Sequence, residues 1–296
     1  MRYAAIDIGS NAVRLLLCNV VEEHGVLHFK KSELVRIPLR LGEDVFRNGK
    51  IGEKKAEQFV KTMKAFKLLI EVFDPISYRA CATASMREAA NGKEVIEKVR
   101  KACGLNIDII TGKEEAELIY ANHVEEFLDP DHSYLYIDVG GGSTELTIFD
   151  RKEIVASSSF NVGALRWVEG KVNMVVWDEM KEWARKNTQY HQPMTAIGSG
   201  GNINKIFKII GRKSKSLPVE KLKELYNQMK IHSVEERMEL WDLNPDRADV
   251  IVPAAKIYLS MMKAANASEI IVPQFGLSDG IVHDMHFKST KPVFLS

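Results

Sequence analysis

Cysteine is scarce: the chain has three (Cys18, Cys81, Cys103) in 296 residues. They are too few and too scattered for a disulfide framework or a thiolate zinc site, and a reducing cytoplasm suits them best. Also missing is any run approaching the ~20 consecutive apolar residues of a membrane-spanning helix. The N-terminus puts Asp7 where a secretory signal would need its apolar stretch, which argues against export. Charge of one sign is not in excess: 41 Lys and Arg against 40 Asp and Glu leave a net +1. No global field draws in a nucleic-acid polymer or an anionic membrane, so a polyanionic ligand would need a local site. Low-complexity tracts are absent. What remains, 45% apolar and 27% charged residues, is the make-up of a soluble globular protein. Its length suits about two domains of roughly 150 residues.

Strand-like and helix-like stretches alternate. Apolar runs at Tyr3–Ile8, Val13–Val21, Leu34–Leu41, Tyr78–Thr83 and Ile107–Ile110 read as strands. Phe59, Met63, Phe66 and Ile70 recur at helical spacing. Thr111 and Glu114 have the spacing of a capping box, so a helix starts there and carries Glu115, Leu118, Ile119 and His123. From Ser133 the pattern restarts. Tyr134–Val139 is an apolar strand ending in Gly140-Gly141-Gly142-Ser143-Thr144, and Glu145–Phe149 returns. The opening has the same grammar, a strand, Asp7, Ile8, then Gly9-Ser10-Asn11 and a second strand, which makes an internal repeat of domain size. Asp129-Pro130-Asp131 reads as the junction. The expectation is an α/β protein of two related halves, 1–128 and 129–296, each opening on a β-hairpin with a small polar turn. The last helix is expected to pack back on the first half. Trp177–Trp183 and Pro218–Met229 read as surface helices.

A Gly-rich turn after a strand exposes backbone N–H groups and lets a phosphate come close. Gly140–Gly142 and the turn at Gly9 both suit that role, although each alone is also what a tight turn requires. Two such turns facing each other across a cleft would form a binding site. An acid leads each turn: Asp7 and Asp138 would cap the turn backbone or hold Mg²⁺ beside phosphate oxygens. Met194–Lys205 reads strand, glycine turn (Gly198, Ser199, Gly200, Gly201), then a helix from Asn202, a geometry that offers a helix N-terminus to an anion or nucleotide. It departs from GxGxxG at Ile203. GxxxxGK[ST] does not occur, which removes the P-loop NTPases. Arg87, after a strand, could grip phosphate or pair with Glu88 or Glu114. Cys81 and Arg87 share the spacing of cysteine-dependent phosphatases but lack that loop's His and Gly, since Ala80 and Ala84 stand there. His24 with His28, and His283 with His286, have metal-compatible spacing but no evident third ligand.

AAIDIGSNAVRLLL, ACATASMREAANG, ITGKEEAELIY, YIDVGGGSTELTIF, AIGSGGNINKI and RADVIVPAA together resemble the Ppx/GppA family of exopolyphosphatases and guanosine pentaphosphate phosphohydrolases, in the family's order and over almost the whole chain. The resemblance implies two duplicated RNase H-like domains of the actin, Hsp70 and sugar-kinase superfamily with a cleft between them. It places Glu115 on the catalytic glutamate that orients or deprotonates water, and Asp138 and Glu145 on active-site acids linked to Mg²⁺. Asp7, Gly9, Ser10 and Asn11 fall on the first phosphate motif, and Gly140, Gly141, Gly142, Ser143 and Thr144 on the second. Arg87 falls on a phosphate-binding arginine. Gly198, Ser199, Gly200, Gly201 and Asn202 fall on a segment that binds nucleotide or polyphosphate. The metal ligands implied are Asp138, Asp7 and Glu145, with Mg²⁺ or Mn²⁺ as the ion.

The activity implied is release of terminal phosphate from inorganic polyphosphate. Larger members carry an additional helical region that helps bind long polymers. This chain is too short for it, so short-chain polyphosphate is the expected substrate. The alternatives are a pppGpp phosphohydrolase, an ATP-binding kinase-like protein, or a non-catalytic sensor of polyphosphate or alarmone. The GxEEA glutamate favours water as the nucleophile over a kinase acceptor. Many proteins of this shape dimerise, so a homodimer is among the implied partners, and the implied location is cytoplasmic. Two departures bear on substrate choice: Ala12-Val13-Arg14 after the first motif, and the ending QFGLSDGIV.

Overall fold

The computed structural model describes residues 1–120, 128–211 and 216–290; His123 lies outside the described residues. The chain divides into two compact units, Met1–Asn122 together with Gly276–Ser296, and His123–Phe275. Among the described residues no helix is long and apolar enough to cross a membrane.

The first unit runs β1 (Arg2–Ile8), β2 (Val13–Glu23), β3 (Val26–Ile37), α1 (Leu41–Asn48), α2 (Glu53–Phe73), β4 (Ser77–Ala82), α3 (Ala84–Glu88), α4 (Gly92–Cys103), β5 (Asp108–Ile109) and α5 (Gly112–Tyr120). Its sheet has the order β3-β2-β1-β4-β5. β1 is antiparallel to β2 and parallel to β4. Strand β1 reads as a continuous apolar run because both its faces are buried. Helix α2 buries Ala56, Phe59, Met63, Phe66 and Ile70, the helical stripe expected from their spacing. Thr111 and Glu114 form the expected reciprocal bonds at the start of α5, 2.7 Å and 3.2 Å long.

The second unit runs β6 (Ser133–Val139), β7 (Thr144–Asp150), β8 (Glu153–Phe160), α6 (Ala164–Val168), α7 (Met174–Thr188), β9 (Met194–Ser199), α8 (Gly201–Ile210), β10 (Ser216–Pro218), α9 (Val219–Met229), α10 (Val234–Trp241), α11 (Pro245–Ala248), α12 (Ile251–Ala264) and β11 (Glu269–Ile271). From β8 its sheet reads β8-β7-β6-β9-β11-β10. The first three strands are antiparallel, and β9 is parallel to β6 and to β11. That is the first unit's order and sense repeated, with β10 added at the edge. The molecule is thus a duplicated RNase H-like α/β protein. Helix α12 is deeply enclosed, with Ile251, Ala254, Ala255, Ile257, Tyr258, Met261 and Met262 all buried.

A last helix, α13 (Leu277–Thr290), packs on β1, β2, β4 and α5 of the first unit. Ion pairs hold it to β3 through Lys31–Asp279 at 2.6 Å and to β4 through Arg79–Asp284 at 2.8 Å. His286 Nδ1 lies 3.2 Å from the Tyr3 hydroxyl, and the His283 ring stacks on Phe29. These contacts give the second histidine pair structural partners.

The strand expected at Leu34–Leu41 is a correction. β3 ends at Ile37, Arg40 turns left-handed at φ 51°, and Leu41 opens α1. Pro38 has no N–H to donate, so the ladder stops there. The strand begins earlier than expected, at Val26, after a two-residue turn in which His24 and Gly25 both take positive φ.

Candidate active site

The first hairpin pairs Ile8 with Val13, leaving Gly9–Ala12 as a four-residue turn closed by Gly9 N–H to the Ala12 carbonyl at 3.1 Å. The segment entering α1 caps it: Gly42 N–H donates to the Ser10 carbonyl at 2.9 Å and Arg40 N–H to that of Asn11 at 3.0 Å. Asp7 is buried at the end of β1. Its register partner on β2 is Arg14, whose guanidinium meets its carboxylate at 2.5 Å.

Strand β4 ends beside this turn, with Ile8 opposite Ala82. It leads straight into α3, which carries Arg87. Arg87 Nη1 donates to the Ile110 carbonyl at 2.7 Å and stands 4.0 Å from Glu115 Oε2. Glu115 occupies the first turn of α5 with its side chain only 13% exposed. The structure therefore brings Arg87 and Glu115 together at the carboxyl ends of β4 and β5, where open α/β sheets commonly bind ligands. Arg87 pairs with Glu115, not with Glu88 or Glu114 as the surface reading would have it; Glu114 is held by Thr111, whose backbone and hydroxyl bonds lower its carboxyl below the usual range.

The second hairpin repeats the first. Val139 pairs with Thr144, and Gly140 N–H closes the Gly140–Ser143 turn on the Ser143 carbonyl at 3.0 Å. The segment entering α6 supplies the cap: Ala164 N–H to the Gly140 carbonyl at 3.0 Å, and Leu165 and Arg166 N–H to that of Gly141 at 2.9 Å. Thr144 Oγ1 donates to the Val162 carbonyl at 2.5 Å. Asp138 lies opposite Glu145 in register. Ser159 donates to Glu145 at 2.9 Å, and the Ser199 hydroxyl is 3.4 Å from Asp138.

Ser199 is also Asp138's register partner on β9, so the Gly198–Asn202 segment adjoins the same acids. Gly200, at φ 105°, adopts a backbone that side chains rarely enter, and a Cβ there would stand 3.1 Å from Asp138 Oδ1. Arg247 lies against Gly201 and donates to Asn202 Oδ1 at 2.9 Å. The Tyr258 hydroxyl ties the ends of β6 and β9 together, accepting from Val139 N–H at 3.3 Å and donating to the Ser199 carbonyl. Its phenol is pushed well above the ordinary value by burial and then by Asp138.

The rival chemistries fare differently. Burial pushes the Cys81 thiol up to about 12, with Arg79 acting the other way. A thiolate nucleophile needs the opposite shift, so the cysteine-phosphatase spacing carries no chemistry. Sequence reasoning noted Arg14 only as a departure after the first motif, and did not single out Gly163, Arg166, Arg247 or Tyr258. Arg14 had a signal: it stands seven residues after Asp7, as Glu145 does after Asp138. Gly163 and Arg166 act on a turn some twenty residues earlier, and only the fold shows it. A Cβ at Gly163 would run into the backbone of Gly141 and Gly142.

The profile of the Ppx/GppA phosphatase family matches residues 20–289. The bifunctional 3-dehydroquinate synthase/phosphatase of Fusobacterium nucleatum is 26% identical over 300 residues, covering 92% of this chain; the chain spans 44% of that relative's length. Exopolyphosphatase 1 of Mycobacterium leprae is 24% identical over 303 residues, covering 95% of this chain and 88% of the relative. Among solved structures, the Aquifex aeolicus Ppx/GppA family member superposes with a TM-score of 0.76 at 26% identity, covering 99% of each chain. An exopolyphosphatase from Cytophaga hutchinsonii shares the fold at a TM-score of 0.83 and 23% identity, covering 97% of this chain and 98% of the other. With a family profile spanning nearly its full length and both halves built alike, the chain belongs to the Ppx/GppA phosphatase family and is a hydrolase of phosphoanhydrides.

Proposed function

We propose that the protein releases the terminal phosphate of inorganic polyphosphate by attack of a water that Glu115 orients and deprotonates. The observation that carries this reading is the pairing of Glu115 with Arg87. A carboxylate largely withdrawn from solvent in the first turn of a helix stands 4.0 Å from a guanidinium that can hold a phosphate oxygen. The water oxygen bonds to the terminal phosphorus and the bridging P–O bond breaks. The proton passes to Glu115, and phosphate leaves with a chain one unit shorter. Turn N–H groups and Arg87 hold the phosphate oxygens, so positioning and electrostatics supply most of the acceleration.

Magnesium is the metal that the family resemblance implies. Among the described residues no group of three or more His, Cys, Asp or Glu is arranged to hold an ion. Mg²⁺ needs less, since it keeps most of its waters and binds one or two carboxylates plus substrate phosphates. Asp138 and Glu145 fit that demand: they are acids in register on adjacent strands, and the Cβ missing at Gly200 leaves Asp138 Oδ1 approachable. Asp7 fits less well, because Arg14 already engages its carboxylate. Bound at Asp138 and Glu145, the ion would offset charge on phosphate oxygens that reach the second unit's turn.

The test is phosphate release by the purified chain with Mg²⁺, on polyphosphate and pppGpp in parallel, with an EDTA control. Glu115→Gln is expected to lose about 10²–10⁴-fold in kcat while still binding substrate. Normal turnover by that variant would overturn the role of Glu115, and faster release from pppGpp would reassign the substrate.

A further inference from the structure

The Gly140–Ser143 turn has an uneven balance of hydrogen-bonding groups. All four of its carbonyls are taken: Gly140 by Ala164 N–H, Gly141 by Leu165 and Arg166 N–H, Ser143 by Gly140 N–H, and Gly142 by Arg166 Nε at 2.8 Å. Among the described residues the N–H groups of Gly141, Gly142 and Ser143 have no acceptor. A turn whose carbonyls are all turned to its own protein offers only donors to a ligand, and a run of such donors selects an anion.

The last of these carbonyls is handled unlike its counterpart in the first unit. Asn11 occupies the place of Gly142, and its carbonyl is held by a neutral backbone donor, Arg40 N–H. In the second unit a guanidinium does that work, on a residue only 8% exposed. Burying a charge is costly, and a neutral donor would have served to fix the turn. The guanidinium N–H makes a charge-assisted bond to that carbonyl, which holds it more firmly than a neutral donor would.

We propose that Arg166 is a positioning residue for substrate phosphate. By holding the Gly142 carbonyl away from the anion, it keeps the N–H groups of Gly141, Gly142 and Ser143 as the face the phosphate meets. The inference rests on reading this turn as a phosphate cradle, and the experiment separates the two. Pyrophosphate is titrated in EDTA, so that metal plays no part, with the amide resonances of Gly141, Gly142 and Ser143 observed for wild type, Arg166→Met and Arg166→Gln. Met keeps the stem and loses the donor, whereas Gln places a neutral N–H where Nε was.

Wild-type amides should shift on titration. R166M should bind about 10–100-fold more weakly, the range for a hydrogen bond to a charged group, and KM should rise in step while kcat moves less. R166Q should recover most of the affinity. If R166M does not fold, Arg166→Lys carries the test, because its nitrogen lies beyond the Nε position and binding must weaken where R166Q does not. Wild-type affinity in R166M, or equal weakness in R166Q and R166M, would overturn the role of Arg166 and leave the cradle standing. Unshifted amides in the wild type would overturn the cradle and Arg166 together.

Discussion

The two hairpins share one backbone plan and differ in the charges set around it. Each ends an apolar strand in an aspartate, turns through four residues closed by the same backbone bond, and is capped by the segment after its third strand. At the residue facing the aspartate they part. Asp7 faces Arg14, and Asp138 faces Glu145. A buried carboxylate beside a guanidinium is neutralised within the protein, whereas one beside a second carboxylate repels it unless a proton or cation intervenes. The two hairpins thus set a guanidinium opposite the aspartate in one case and a second carboxylate in the other. The comparison teaches that the acid at the end of the strand is shared scaffolding, and that the residue opposite sets the charge beside it.

Exchanging the opposite residues breaks the comparison most directly. Glu145→Arg gives the second hairpin the charge pattern of the first. It is expected to abolish tight Mg²⁺ or Mn²⁺ binding in calorimetry and to slow phosphate release on the order of 10³-fold, the several kcal/mol a metal contributes. Asp7→Asn should leave metal binding intact, and its loss there would show that the first hairpin also holds the ion. Next in size, Arg14→Met leaves Asp7 buried without its guanidinium. Urea unfolding should show a loss of roughly 2–3 kcal/mol, below the ~3–5 kcal/mol of a fully buried broken pair; an unchanged midpoint would mean that the pair stabilises nothing. The smallest effect sharpens a different contrast, since the first unit alone depends on α13. Burial, and then the N-terminal ammonium, lower the pKa of His286. As pH falls through the ordinary histidine value near 6.5, the unfolded chain therefore takes up the proton first. Stability is full above that value and declines below it. Corrected for the intrinsic slowing of exchange at lower pH, the protection of α13 amides should fall between pH 7.5 and pH 5, and His286→Gln should flatten the trend.

Much of this was legible because it is local. Strand, acid and small turn follow one another without interruption at Asp7–Asn11 and Asp138–Ser143, and the capping box at Thr111 is complete within four residues. Strand β8 was not legible: Ser157, Ser158 and Ser159 give an edge strand with one solvated face no apolar alternation to read. Nor was the Gly163–Arg166 cap, whose partners lie in a different stretch of chain. The sequence did show an arginine and a glutamate at equal spacing after the two aspartates, but their opposition across a strand pair is a matter of register, which only folding supplies.

The placement of α13 has a consequence for biosynthesis. Tyr3 meets its partner His286 across 283 residues, and Ile281 and Val282 bring buried side chains to the first unit's core. The second unit's residues all emerge in one stretch, so it can close while the first still lacks a helix. At about 5–20 residues per second, the opening strands wait some ten seconds or more for the piece that covers them, with apolar surface open to chaperones. A lesion late in the reading frame, in α13, therefore acts on the strands that were made first.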